Sequence, residues 1–279
     1  MKFGVATFPT SYSIRPDDLA RAVEERGFES LFFAEHSHIP TSRETPHPGG
    51  GELPRDYYSS WDPFVALSFA AAATSTLQVA TGACLVTQRH PIHLAHETAT
   101  LDVASRGRFL FGVAAGWNAE EMRDHGTDPN RRFAVMRERV LAVREIWAKD
   151  EAEYHGIYAD FGPMWSWPKP IRPGGPPVLV GGNGPRILPR VVEFGDEWMP
   201  NVNRVGDALP ARIAELNELA SAAGRAPIPV TGYGVSAGEQ PVASMRAMGV
   251  GRVVFYLPSV ESDAALSRLD QYAKLIHSV

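Results

Sequence analysis

A histidine directly follows an apolar run in SLFFAEH (30–36), and imidazole is the side chain that titrates near neutral pH. His36 is either a proton carrier at a strand end or a structural histidine. RFLFGVAAGWNAEEM (108–122) changes from a buried-strand pattern to small residues, then a tryptophan and two acids. That ending is either a tight turn or a strand end that leaves room for a flat ligand. GGNGPR (181–186) follows the apolar run PVLV. Glycines there permit close backbone approach, and free N–H groups at a helix start favour an anion such as phosphate. Pro185 suits the first helical turn, and a plain tight turn is the competing account.

Two other patterns carry less. GVSAG (234–238) has the G-x-S-x-G form of a nucleophile elbow, with Asp263, Asp270 and His277 downstream. Ser236 lies late in the chain, whereas a hydrolase sheet continues through several units after its serine. A glycine-rich strand end is the better reading. His90, His93 and His96 place two imidazoles on one face of a helix that starts near Pro91. A metal there needs a further ligand such as Glu97; ordinary helix-flank histidines account for the pattern, and no metal is expected. No G-x-G-x-x-G opens a helix after the first strand, and no Walker-type motif occurs.

The elements that must position these residues alternate regularly. Apolar runs fall at 2–7, 30–35, 77–82, 108–113, 177–182, 196–201, 228–233 and 252–257. Helical patterns lie between them, at 15–27, 62–74, 92–105, 133–148, 185–195, 208–224, 240–249 and 262–278. Near-continuous apolar strands suit a parallel sheet buried on both faces. Eight such units in 279 residues predict an α/β fold, a (β/α)8 TIM barrel forming one domain over 1–279; a doubly wound open sheet is the alternative. In a barrel, His36 sits at the C-terminal rim, where barrel chemistry is done.

Two connections are long: 36–61, after strand two, and 150–176, before strand five. The first lies over the mouth and is either a lid or a disordered loop. The second carries Trp165 and Trp167, expected to pack this excursion onto the barrel. A net charge of -5 without a basic cluster argues against nucleic acid. The lone Cys84 suits a reducing compartment, and no apolar run approaches the roughly 20 residues of a membrane span. With no signal-like N-terminus, a cytoplasmic protein is expected.

ATLDVASRGRFLFGVAAGWNAEEM (99–122) resembles the ATLD-x-LS-x-GRF-x-LGVG-x-GW-x-x-EE signature of the bacterial luciferase-like monooxygenase family. MKFGVATF, ERGFESLFFAEHSHIP, HPIHLAHETATLD and PKPIRPGGPPVLVGG support it, and within the family the chain looks most like the actinobacterial coenzyme F420-dependent branch. The resemblance implies a TIM barrel with F420, or alternatively FMN, at the C-terminal mouth. It implies an acid/His pair, Glu35 and His36, as catalytic residues beside the ring. It implies ring support from Thr81, Gly82, Ala83 and Cys84, often through a non-proline cis peptide. It places Ala114, Ala115, Gly116 and Trp117 near the ring and its tail, and Gly181, Gly182 and Asn183 at the phosphate.

The implied activity is hydride transfer between F420 and a small organic substrate. The alternatives are an FMN-dependent monooxygenase served by a separate flavin reductase, and a non-catalytic cofactor-binding barrel. A homodimer is implied, with no nucleic-acid or membrane partner. Two departures stand out: Ala114 replaces a glycine of the signature, and Trp117 stands where sugar and alcohol dehydrogenases of the family carry a glutamate, which argues against a Glu-assisted alcohol or sugar oxidation and leaves the substrate open.

Overall fold

The apolar runs become eight parallel strands in the computed structural model, which describes residues 1–277, the side chain of His277 excepted. They are β1 (Lys2–Thr7), β2 (Ser30–Phe33), β3 (Gln78–Thr81), β4 (Phe109–Ala114), β5 (Val178–Gly181), β6 (Glu197–Met199), β7 (Thr231–Val235) and β8 (Arg252–Tyr256). Their hydrogen-bonded order is β7-β8-β1-β2-β3-β4-β5-β6. Parallel bridges Trp198–Val230 and Asn201–Tyr233 link β6 to β7 and complete the ring. This is a TIM barrel, as the count of units predicts. A short pair, Cys84–Leu85, adds to the end of β4.

The helices follow in turn: α1 (Pro16–Glu25), α2 (Pro63–Ala73), α3 (Pro91–Ala104), α4 (Ala119–Asp124), α5 (Arg132–Ala148), α6 (Ile187–Phe194), α7 (Val202–Val205), α8 (Leu209–Ala222), α9 (Glu239–Ala247) and α10 (Ser262–His277). Local chemistry sets several starts. Asp62 Oδ1 accepts from the N–H groups of Phe64 and Val65, with Pro63 in the first turn. Asn118 Oδ1 accepts from the Glu121 N–H and starts α4. Gly27, at φ +79°, ends the α1 region in a conformation that favours glycine. No helix among the described residues is long and apolar enough to cross a membrane.

The strands are apolar throughout because each face meets a different core. Ala6, Phe32, Ala80, Leu110, Leu179, Met199 and Val254 fill the barrel interior. Their neighbours, such as Val5, Phe33, Val79, Phe111 and Val180, pack against the helices. Gly112 lets β3 and β4 approach: a Cβ there would stand 1.9 Å from the Thr81 carbonyl oxygen. At the end opposite the mouth, buried Arg252 lies 2.9 Å from Glu29 Oε2 and 2.9 Å from Glu197 Oε2, and donates to the Thr231 hydroxyl.

The 150–176 connection differs from expectation. It forms an antiparallel hairpin, Glu151–His155 with Asp160–Trp165. Trp165 and Trp167 stay 78% and 59% exposed rather than packing onto the barrel. The Trp165 indole bonds Glu151 at 3.3 Å, and the Lys169 ammonium lies over the Trp167 ring.

Candidate active site at the barrel mouth

Two adjoining cavities of about 380 and 320 Å³ open at the C-terminal ends of the strands. Both are floored by Gly82, Ala83 and Ala114, and walled by Trp117 and Tyr233. The Gly82–Ala83 peptide is cis. The Tyr233 hydroxyl donates to the Gly82 carbonyl at 2.7 Å. A Cβ on Gly82 would come within 2.9 Å of the Tyr233 ring, so this position is restricted to glycine. Burial pushes the Tyr233 hydroxyl well above its ordinary pKa, so it remains a donor.

His36 stands beside this floor. Its Nδ1 is 2.7 Å from Glu121 Oε2, and the two side chains are 4% and 1% exposed. The Trp117 indole N–H points at His36 Nε2, 3.1 Å away. An indole N–H only donates, so Nε2 is the acceptor and the ring proton sits on Nδ1, toward the carboxylate. The result is a neutral imidazole, oriented on one side by an acid and on the other by an indole. Aromatic rings enclose it: Trp117 at 5.5 Å, Tyr57 at 5.2 Å and Phe8 at 6.2 Å between centroids. Burial, followed by the Asp56 carboxylate, raises the Tyr57 hydroxyl above 10.0.

Glu35, expected beside the ring with His36, is bound to another segment. Its Oε2 accepts from the Leu85 N–H at 2.6 Å, and its Oε1 from Arg89 Nε at 2.7 Å and Nη2 at 2.5 Å. Arg89 also pairs with Asp62 and, at 3.1 Å, with Glu97. Burial alone would lower the guanidinium pKa; Glu35, with Cys84 and Asp62, outweighs it and raises it. Glu35 therefore borders the cavity but is committed to anchoring the 84–89 segment. Glu121, one of the two acids that follow Trp117, is the partner of His36.

Of the residues assigned to ring support, Gly82 and Ala83 line the mouth, whereas Thr81 and Cys84 are fully buried beneath it. Thr81 Oγ1 donates to the Gly112 carbonyl at 2.7 Å, and Cys84 belongs to the core between strands and helices. Burial, then Glu35, pushes the Cys84 thiol far above 9.0. Ala114, Ala115, Gly116 and Trp117 line the second cavity with Gly181, Gly182 and Asn183. Phe8, Tyr57, Asn201, Arg204 and Tyr233 also line the mouth and carry no motif.

The 181–186 loop is built as an open turn. Gly182 has φ +139°, and its carbonyl accepts from the Trp198 indole at 3.0 Å. Asn183 Oδ1 accepts from the Asn201 N–H at 3.0 Å, and Arg212 donates to the carbonyls of Gly184 and Pro185. The helix begins at Ile187, so Pro185 precedes it rather than sitting in its first turn. Asn201 Oδ1 is buried without a partner, and Arg204 adds a positive charge bordering both cavities. Small-residue floor, glycine turn, orphaned acceptor and cation together fit a flat, phosphate-bearing ring cofactor.

The 36–61 connection is ordered and tied to α4. Ser37 N–H donates to Glu121 Oε1 at 3.1 Å, and Arg123 meets Glu44 at 3.2 Å. Thr45 donates to Glu120 through its N–H at 2.9 Å and through its hydroxyl, which also accepts from the Ala119 N–H. Burial alone would raise the Glu120 carboxyl; the Thr45 donors outweigh it and hold it down at about 2. A depressed carboxyl contributes stability above its unfolded pKa of 4.5 and loses it as pH falls through about 2. Thr45→Val is expected to cost about 1–2 kcal/mol at neutral pH. It should also shift the acid limb of the stability curve upward and speed proteolysis within 36–61; thermal melts against pH and limited digestion check both.

The remaining motifs stay apart from the mouth cavities. Ser236 borders an apolar groove with Met245 and Met248, whose lining includes no histidine. The side chain of His277 lies outside the described residues. His90 caps α3 by accepting from the Ile92 N–H at 3.3 Å. Among the described residues, no group of three or more His, Cys, Asp or Glu side chains is placed to hold a metal ion.

The profile of the luciferase-like monooxygenase family matches residues 2–277. An uncharacterised protein of Mycobacterium tuberculosis is 36% identical over 278 residues, 98% of either chain. The F420-dependent glucose-6-phosphate dehydrogenase of Amycolatopsis mediterranei is 29% identical over 191 residues, 66% of this chain and 53% of that one. In fold, the chain resembles the crystal structure of a monooxygenase from Streptomyces bottropensis, with a TM-score of 0.82 over 100% of both chains at 20% identity.

Proposed function

The chain belongs to the luciferase-like monooxygenase family, and on that premise we propose that it is an F420-dependent oxidoreductase interconverting a small alcohol and its carbonyl compound. The observation that carries this reading is His36, held neutral between Glu121 and Trp117 beside a floor of small residues. The similarity to an F420-dependent dehydrogenase over two thirds of the chain favours the deazaflavin.

Gly82, Ala83 and Ala114 leave room for the ring face, and Gly181, Gly182, Asn183 and Arg204 receive the phosphate-bearing tail. When bound, the deazaflavin supplies a ring carbon that gives or takes a hydride. His36 Nε2 takes the proton from the substrate hydroxyl during oxidation and returns it to the carbonyl oxygen during reduction. Trp117 must yield its hydrogen bond to Nε2 when substrate arrives. Glu121 balances the imidazolium charge, and the aromatic rings exclude water.

Anaerobic incubation with reduced F420 and a panel of small aldehydes and ketones tests this. The expected result is a substrate-dependent return of oxidised deazaflavin absorbance. Oxygen uptake with reduced FMN and a flavin reductase, without F420 turnover, contradicts it and supports a monooxygenase.

A further inference from the structure

Hydrogen bonds continue behind His36 to the surface. Glu121 Oε2 holds His36 Nδ1, while Glu121 Oε1 faces Ser37, 3.1 Å from its N–H and 3.5 Å from its hydroxyl. The Ser37 hydroxyl is 2.7 Å from His125 Nε2 and 2.9 Å from His38 Nδ1. His38 Nε2 in turn meets Asp124 Oδ2 at 3.0 Å, with the two side chains 40% and 58% exposed. His125 and Ser37 also reach solvent. The buried imidazole thus lines the cavity and is linked from Nδ1, through Glu121 and Ser37, to a surface imidazole pair.

We propose that Glu121, Ser37 and His125 form a proton relay that exchanges the His36 proton with solvent by a path that does not cross the mouth. The proposal rests on the proton-carrying role of His36. After Nε2 has taken a proton, His36 is an imidazolium. Its Nδ1 proton passes to Glu121 Oε2, and the carboxyl turns over to present its O–H to Ser37. Ser37 receives that proton as it gives its own hydroxyl proton to His125 Nε2. His125 then releases its Nδ1 proton to water and is neutral again. One proton has left His36, one has reached solvent, and Glu121 is again a carboxylate, while His36 and His125 now carry their remaining proton on Nε2 and must return it to Nδ1 before the next proton is taken. Running inward, the same hops recharge His36 for carbonyl reduction.

The surroundings suit this role. Burial lowers the His125 pKa, and the neighbouring His38 lowers it further; Glu121, Glu35 and Asp124 oppose the shift without reversing it. His125 is therefore neutral at neutral pH, with Nε2 free to accept from the Ser37 hydroxyl. Ser37 is the link shared by both surface histidines, so its hydroxyl is the narrowest point of the path.

The test needs neither cofactor nor substrate. In protein labelled with 15N-histidine, saturation transfer from water measures the exchange rate of the His36 Nδ1 proton. Ser37→Ala, and separately a His38→Asn/His125→Asn double variant, are expected to slow this exchange roughly tenfold or more, as when the middle link of a shuttle is removed. His155→Asn, on the exposed hairpin, should leave it unchanged. Wild-type exchange in both relay variants overturns the proposal, and the surface double variant decides it if Ser37→Ala does not fold. A failed F420 assay with normal relay exchange instead refutes the functional reading alone.

Discussion

Glu121→Gln is expected to lower turnover about 10²–10⁴-fold while the barrel remains folded. Both Glu121 oxygens accept: one from His36 Nδ1, the other from the Ser37 N–H. An amide has one acceptor oxygen and must set its NH₂ against one of these donors. If it faces His36, the ring proton moves to Nε2 and collides with the Trp117 N–H, so the wrong tautomer faces the substrate. If it faces Ser37, the loop loses its bond and the imidazolium loses its counter-charge. The stability loss should stay near about 1–3 kcal/mol, the range for an unsatisfied buried group. Steady-state rates paired with thermal melts separate the two effects. A variant that melts like wild type and turns over at the wild-type rate removes Glu121 from the mechanism.

The largest stability effect is expected at the other end of the barrel. Arg252→Met leaves Glu197 without its cation, leaves Glu29 with the exposed Lys2 ammonium at 3.3 Å alone, and removes the donor to Thr231. We expect a loss of roughly 2–4 kcal/mol at neutral pH, toward the lower end for a broken buried pair because Glu29 is a quarter exposed. The loss depends on pH in a definite direction. Burial alone would raise the Glu29 carboxyl, but the hydrogen bond and charge of Arg252, with Ser30 and Lys2, together outweigh it and lower its pKa below 4.5. The wild-type gain is therefore complete above pH 4.5 and is lost as pH falls through the lower folded value. The gap between wild type and variant should be widest near neutrality and narrow in acid; urea melts across that range measure it. Turnover per folded molecule should not change, because these residues lie opposite the mouth.

These two sites differ in how legible they are in the sequence. The barrel reads clearly because both faces of each strand are buried, so Val, Phe, Leu and Ala dominate β1, β2 and β8. The glycines of 181–182 and the small residues of 114–116 mark the mouth for the same local reason: a Cβ or a bulky side chain would fill it. The pairing of His36 failed to read because neighbouring residues at a strand end point to opposite sides. Glu35 and His36 are adjacent in sequence yet diverge, one to Arg89 and the other to Glu121, 85 residues away. Nothing local distinguishes Glu121 from Glu120, since both occupy the first turn of α4. Thr81 and Cys84 are assigned to the ring by position, but Thr81 turns down to the Gly112 carbonyl and Cys84 packs into the core between strands and helices. The 151–165 hairpin hid in a polar, weakly alternating stretch with few apolar residues to bury. Tyr57, Arg204 and Tyr233 reach the site from three separate segments that only the closed barrel brings together.

The central claim, a deazaflavin seat at this mouth, is tested most directly by parallel equilibrium titrations of the wild-type protein with F420 and FMN, followed by quenching of tryptophan fluorescence, to which Trp117 in the cavity wall contributes. The account predicts saturable quenching by F420 at lower concentration than by FMN, weakened in Gly82→Ala, whose added Cβ crowds Tyr233 at the floor. Tighter binding of FMN, or F420 binding that Gly82→Ala leaves untouched, contradicts it.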